Sequence, residues 1–283
     1  MRRSPRSTAV ICRPNRWHLT EFSRRSYSAL PLIAKTAMHP FDNWLRALEE
    51  RHLADLTFPE VSRALRALSS AYVERRGRLK AGAALSGAGK RAAFALFYGP
   101  LHYLLVREIT ATIGFRPALN TLIDLGCGTG AAGAAWAQTF PKLPAIVGLD
   151  LNSWALSEAS RTYRAFGLSA RTRLGDIATT GWPASPAALL AAFTLNELSD
   201  AARETVLQRL VERGVRGDAV LVVEPVAGFV APWWNRWREL FEAAGGRAAD
   251  WRFPIELPAM IAKLDRAAGL DHRTLTGRSL WFG

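Results

Sequence analysis

Between Asp124 and Asp176 the 283-residue chain sets three aspartates around three closely spaced glycines. Gly126, Gly128 and Gly130 alternate with Cys127 and Thr129, so the backbone can turn sharply and approach a ligand where a side chain would intrude. A helix opening at Ala131 would aim its first free N–H groups at the same point. Asp150 follows the loop by about 20 residues, the separation at which a carboxylate after the next strand accepts both hydroxyls of a ribose. Such a pattern suits a ligand built on a nucleoside.

Two nucleoside cofactors compete for this loop. Ala131 stands where the dinucleotide fingerprint tolerates alanine, so a nicotinamide cofactor fits the glycines equally well. Asp124, two residues before the first glycine, separates the alternatives. A carboxylate there would repel a pyrophosphate, whereas it would face the cationic amino acid portion of S-adenosylmethionine (SAM). Asp176 ends the third apolar run in Leu174-Gly175-Asp176-Ile177, where an acid could meet the adenine amino group. The cofactor reading is therefore SAM, held by Asp124, Gly126, Cys127, Gly128, Gly130, Asp150, Leu151, Asp176, Ile177 and Thr194. Asp150 and Asp176 are also residue types that cap helices and turns. The Cys127 side chain is expected to pack inward.

Methyl transfer from a sulfonium is a direct displacement on an activated carbon, so alignment can supply most of the rate. In open parallel sheets the ligand lies beyond the carboxyl ends of the strands. That rule directs attention to Thr194-Leu195-Asn196-Glu197-Leu198 after the fourth strand, where Asn196 or Glu197 could orient an acceptor or remove a proton. Equally, Glu197 could belong to the turn before a helix capped by Ser199 or Asp200. The Asn-Pro-Pro-aromatic pattern of exocyclic-amine methylation is absent. The fifth strand leads into a second rim loop, Glu224-Pro225 to Gly228-Phe229. Beyond it, Trp233, Trp234, Arg236, Trp237 and Arg238 could stack bases and neutralise phosphate, but a Trp-rich helix start more often packs on its own sheet.

The elements that would position these residues fall into two textures. From Phe41, apolar residues recur at helical spacing. A first helix is capped by Asp42 or Asn43 and ends near Leu56, and a second has Pro59 in its first turn. A third follows Ser86-Gly87 and breaks at Gly99-Pro100 before resuming to Ile113. His102 and Tyr103 read as packing residues of this region, which could cover the cofactor. After Pro117, short apolar runs alternate with amphipathic helices, the mark of a parallel α/β sheet. Strands are expected at 121–125, 145–150, 172–175, 188–194 and 219–224, with a final one or two within 273–282. The fold class is α/β, a Rossmann-like methyltransferase sheet with helices on both faces. Its expected division is a leader (1–37), a helical region (38–116) and a SAM-binding domain (117–283).

Composition narrows the remaining classes. With 49% apolar residues and no apolar run of the 18 to 20 residues that would span a bilayer, neither a disordered chain nor a membrane span is expected. Two cysteines, Cys12 and Cys127, cannot build a disulfide framework or a four-thiolate centre, and the five histidines lack metal-ligand spacing. No metal is expected, and the compartment is read as reducing, hence cytoplasmic. Residues 1–37 hold eight Lys and Arg against Glu21, so they carry +7 of the net +13 and leave +6 for the rest. The leader reads equally as a mitochondrial presequence ending near Arg25-Ser26-Tyr27-Ser28, or as an over-called start before Met38. The basic remainder favours a polyanion such as RNA.

Taken together, Leu68-Ser-Ser-Ala-Tyr72, Asp124 to Gly130, Thr194-Leu-Asn-Glu-Leu198 and Val223-Glu224-Pro225 resemble the methyltransferase-like family of the mitochondrial small ribosomal subunit and its bacterial relatives, over about residues 60–240. The resemblance implies a class I SAM-dependent methyltransferase fold and an acceptor in small-subunit rRNA. The chain departs from that family in one respect. Members carry a cysteine set after the fifth strand that resembles iron-sulfur ligands, and here no cysteine follows Cys127, so a cluster lacks its ligands. Three expectations stand: an RNA methyltransferase, a small-molecule methyltransferase on the same scaffold, or a non-catalytic SAM-binding assembly factor.

Overall fold

Pro40 begins the first helix of the computed structural model, which describes residues 39–74, 85–226 and 231–283, with 71–74 as backbone only. The leader 1–37 and the Gly228-Phe229 loop tip lie outside the described residues. α1 (Pro40–His52) starts earlier than Asp42 or Asn43 would allow, because Pro40 supplies a preset φ where no N–H is needed. His39 is its cap, accepting from the Phe41 N–H through Nδ1, and Asp42 sits in the first turn, where it complements the helix dipole. The helix ends at His52, short of Leu56.

α2 (Phe58–Glu74) and α3 (Ala88–Ala93) follow. The expected break at Gly99-Pro100 does not occur. A π-helical turn, Phe94–Tyr98, joins α3 to α4 (Gly99–Thr112), with the Gly99 N–H reaching back to the Phe94 carbonyl. The wider turn accommodates Pro100, which cannot donate to a regular α ladder, without ending the helix.

The sheet contains β1 (Thr121–Leu125), β2 (Ala145–Asp150), β3 (Ala170–Leu174), β4 (Ala188–Ala192), β5 (Ala219–Glu224), β6 (Arg247–Pro254) and β7 (Thr274–Phe282), in the order β3-β2-β1-β4-β5-β7-β6. β1 to β5 are parallel, while β7 runs antiparallel to both β5 and β6. The order of the parallel strands reverses between β1 and β4, which is where such a sheet opens a crevice. An antiparallel β7 inserted between β5 and β6 departs from the all-parallel dinucleotide-binding sheet.

β6 had no counterpart among the expected strands. It is an edge strand carrying two Arg, two Ala and one Asp among its eight residues, whose burial alternates too weakly to mark it by composition. β3 begins two residues earlier than expected, and β4 ends at Ala192 because Phe193 leaves extended geometry with φ of 58°.

α5 (Ala131–Ala137) and α6 (Ser153–Ala165) cover one face of the sheet together with α1 and α4. α7 (Asp200–Val215) and α8 (Trp234–Ala243) cover the other. α9 (Ala259–Ala267) joins the first layer through Ile261 and Leu264. Val220 and Val222 face the second layer, and Leu221 and Val223 the first, the all-apolar strand that two covered faces require. Glu158 on α6 is 1% exposed and binds the helical region to the sheet domain, accepting from Arg51 at 2.5 Å and meeting His52 at 3.2 Å. Among the described residues no helix is long and apolar enough to cross a membrane.

Candidate active site

A cleft of about 440 Å³ opens at the carboxyl ends of β1, β2, β3 and β4. Its floor is the loop between β1 and α5. Gly126 has φ of 66°, and a Cβ there would run into the Thr194 side chain, whose hydroxyl donates to the Gly126 carbonyl at 2.9 Å. The loop and the end of β4 are therefore fastened to each other at the point where only glycine fits. Gly128 lines the cleft, but Gly130 does not. Gly130, with φ of 76°, lets α5 approach α6 so closely that a Cβ would come within 2.9 Å of the Tyr163 ring. Its place in the pattern comes from helix packing, not from contact with a ligand.

Asp150 accepts from the Gly128 N–H at 2.9 Å and from the Asn152 N–H at 2.8 Å. Burial raises its pKa, and the Asn152, Gly128 and Leu151 amides hold it down. A carboxylate has about four acceptor positions, so Asp150 keeps capacity for a further hydroxyl donor from the cleft it lines. Asp124 also borders the cleft but is only 1% exposed. Its Oδ2 accepts from the Tyr163 hydroxyl at 2.7 Å, and the Gly133 amide is its backbone partner. Burial pushes this carboxyl up to about 7, with the charge of Asp150 adding to the rise and the Tyr163 and Gly133 bonds opposing it. Asp124 thus faces a ligand as a buried, partly protonated group under α5, not as an open carboxylate.

Cys127 is buried, with Sγ packed toward Gly148 and Tyr163, and burial beside Asp124 pushes its thiol well above the usual range. It offers no nucleophile. Leu151, Asp176 and Ile177 line the far wall of the cleft. Asp176 accepts from the Ala178 N–H at 2.8 Å and so forms a turn as well as a wall.

The two residues expected to serve the acceptor are placed differently. Leu195–Glu197 is a 3₁₀ turn, which puts Glu197 on the cleft wall and Asn196 off it. Asn196 donates to Glu224 Oε2 at 2.5 Å and accepts from Trp233 Nε1 at 3.1 Å, while the Leu195 N–H bonds Glu224 Oε1 at 2.8 Å. Both ends of the Asn196 amide are thereby committed to joining the β4 turn to the end of β5. Ser199, not Asp200, caps α7. Trp234 and Trp237 are buried against the sheet, and Arg236 pairs with Glu204, so this cluster supports the rim and does not form an open stacking platform.

The opposite wall is built by Leu85, Arg91, Phe94 and His102 of the helical region that was expected to be able to cover the cofactor, together with Phe193. Helical periodicity put His102 in the core together with Tyr103. Tyr103 is indeed buried between Phe41 and Phe166, but His102 borders the cleft. Nothing in the local pattern distinguishes a histidine facing a core from one facing a crevice. Among the described residues no three His, Cys, Asp or Glu side chains group as a metal ion would need.

A family model described as a methyltransferase domain matches residues 122–213, which span the glycine loop, all three carboxylates and the Asn196-Glu197 turn. No curated protein matches the chain in sequence. Among solved structures, the YcgJ protein of Bacillus subtilis is similar at 12% identity and a TM-score of 0.43, over 63% of this chain and 96% of its own. The mitomycin 7-O-methyltransferase MmcR is similar at 15% and 0.46, over 87% and 73%. The O-methyltransferase NcsB1 from neocarzinostatin biosynthesis, solved with S-adenosylmethionine, is similar at 19% and 0.42, over 85% and 72%. At such values these likenesses say nothing of the acceptor.

The family match over residues 122–213 assigns a methyltransferase domain to the part of the chain that builds the glycine loop and the cleft. The enzyme is a SAM-dependent methyltransferase, and its donor fits the residues present: a glycine cradle, and Asp150 with acceptor capacity to spare.

Proposed function

We propose that the protein methylates RNA, with small-subunit rRNA as the acceptor and the base presented to the Glu197 side of the cleft. The observation that carries this reading is the open edge of the sheet. Arg171 and Arg173 project from β3 on the face that α7 and α8 cover only farther in, and residues 175–187 after β3 contain no helix to cover them. Both are exposed, as is Arg164 on α6, and none of the three makes an ion pair among the described residues. Arginines on an edge strand also discourage strand-to-strand aggregation. Here they stand two and four positions before the cleft-lining Gly175, so a phosphate backbone bound along β3 would run beside the donor site. The resemblance to the ribosomal methyltransferase-like family supports the same class of acceptor.

Asp124 and Asp150 would hold the donor, which supplies an activated methyl carbon. Glu197 and the aromatic wall would orient the acceptor lone pair toward it. A small planar metabolite is the second reading, favoured by the aromatic wall that Phe94, His102 and Phe193 give the cleft. Incubating the protein with radiolabelled SAM and a cell extract, then separating RNA from metabolites, tests the choice. Label in RNA that falls on Arg171→Ala/Arg173→Ala supports the proposal, and label confined to small molecules overturns it. SAM binding without any label in either fraction would instead favour a binding role in ribosome assembly.

A further inference from the structure

Phe193 is the one residue other than glycine with a positive φ among the described residues. A phenylalanine at φ of 58° sits outside the ordinary backbone regions of an L-residue, and such strain persists only where its surroundings enforce it. Two contacts enforce it here. The Phe193 N–H donates to the Val223 carbonyl at 2.8 Å, and the Thr194 hydroxyl fastens the next residue to Gly126. The turn swings the Phe193 ring flat onto His102, with centroids 3.7 Å apart and planes 11° from parallel. Phe94 and Tyr98, both in the π-helical turn, flank the same imidazole at 6.1 and 6.3 Å. Extra-wide turns of this kind recur where a helix must bend its side chains to a site.

His102 adds a polar group to an otherwise apolar wall. Neither ring nitrogen makes a hydrogen bond among the described residues, although the residue is half-buried and lines the cleft. A side chain placed there for packing alone would be better apolar, since a half-buried imidazole with no partner loses hydration and gains nothing in return. Burial lowers its pKa to about 3, so the ring is neutral and offers one acceptor nitrogen and one N–H.

We propose that Phe94, His102 and Phe193 form the acceptor seat, which takes a planar heteroaromatic ring and receives that ring's N–H or O–H on the unprotonated nitrogen of His102. The inference rests on the SAM site described above. The ring is either a nucleobase of RNA or part of a free small molecule, since both present the same flat face and polar edge. His102 is too weak a base to keep a proton, so it positions the acceptor and does not ionise it. The acceptor lone pair forms the new bond to the methyl carbon, the carbon–sulfur bond breaks with its pair going to sulfur, and the acceptor proton passes to water.

The test uses the full chain saturated with SAM. Hypoxanthine and 4-hydroxyquinoline serve as heteroaromatic probes and cyclohexanol as a non-planar control, with binding read by saturation-transfer NMR. The wild type should bind both heteroaromatics and not cyclohexanol. His102→Phe keeps the stack but removes the acceptor nitrogen, and should weaken probe binding about 3- to 10-fold, the effect of one net hydrogen bond. His102→Gln should restore part of it. SAM affinity measured by calorimetry should stay within about twofold in both variants, which also shows that they fold. Equal probe binding by wild type and His102→Phe, or no probe binding by SAM-loaded wild type, overturns the seat alone. Failure of the wild type to bind SAM overturns the donor site and the seat with it. With RNA and metabolite fractions as acceptors, loss of label in His102→Phe from one fraction identifies the source of the ring.

Discussion

Asp150 accepts from the Gly128 and Asn152 amides, with Leu151 also holding its charge, so its remaining acceptor capacity is fixed in direction. Removing it deletes the proposed ribose acceptors and frees the Gly128 amide. Asp150→Ala should weaken SAM binding by about 10- to 100-fold by calorimetry, the effect of losing charge-assisted bonds of about 1.5 to 3 kcal/mol. Unchanged affinity would remove Asp150 from the site.

Asp124 makes a different prediction, because its carboxyl sits at about 7 in the folded protein. A cationic ligand binds better beside the ionised form, so SAM affinity should rise as pH increases through 7, and Asp124→Asn should flatten that rise. Stability runs the other way. With the folded value above the unfolded one, the group contributes fully below about 4, and that contribution is lost as pH rises through 7. Thermal melts of wild type and Asp124→Asn across pH 4 to 8 would show the two curves diverging. The identity of Asp124 was legible in the sequence as the acid before the glycines. Its burial under α5 and its Tyr163 partner, 39 residues away, were not.

At the level of elements, the helical region is tied to the sheet domain by Glu158. Burial raises this carboxyl, but the His52 and Arg51 hydrogen bonds outweigh that effect and hold it at about 2. Here the folded value lies below the unfolded one, so the stabilisation is present above about 4.5 and is lost as pH falls toward 2. Glu158→Gln should cost on the order of 3 kcal/mol at neutral pH by urea denaturation, because Arg51 and His52 lose a buried partner. A loss below about 0.5 kcal/mol would mean the clamp contributes little.

Most elements were legible from period and punctuation: Pro59 in the first turn of α2, the apolar β5, the helix after Ser199. β6 was not, since an edge strand pairs on one side and needs no apolar run. Nor was the continuity through Gly99-Pro100. A local reading treats proline as a break, whereas packing of α4 and the π-helical turn into the core holds the helix together across it.

For the molecule as a whole, the chain outside residues 1–37 carries +6, and the arginines without ion pairs at β3 give that excess a position. If single-stranded RNA contacts Arg164, Arg171 and Arg173, the logarithm of its binding constant should fall against the logarithm of salt with a slope of about −2 from these three groups, and Arg171→Ala/Arg173→Ala should make that slope shallower by about 1.4. Fluorescence anisotropy with a labelled oligonucleotide between 50 and 300 mM salt would measure it, and an unchanged slope would place the RNA elsewhere.

The sequence alone marked out the candidate donor side of this protein. A glycine cradle and strand-end carboxylates are local features, set by residue type and by spacing within one β-strand and its following turn. The acceptor side was decided only by tertiary structure. His102 and Phe193 lie 91 residues apart and become one wall only when the π-helical turn of the first region packs against the strained end of β4. Asn196 moved from the expected chemistry to the frame because Glu224 and Trp233, distant in the chain, take both ends of its amide. Local spacing encodes turns and periodicity, whereas which side of a half-buried residue meets a cleft depends on every element packed around it.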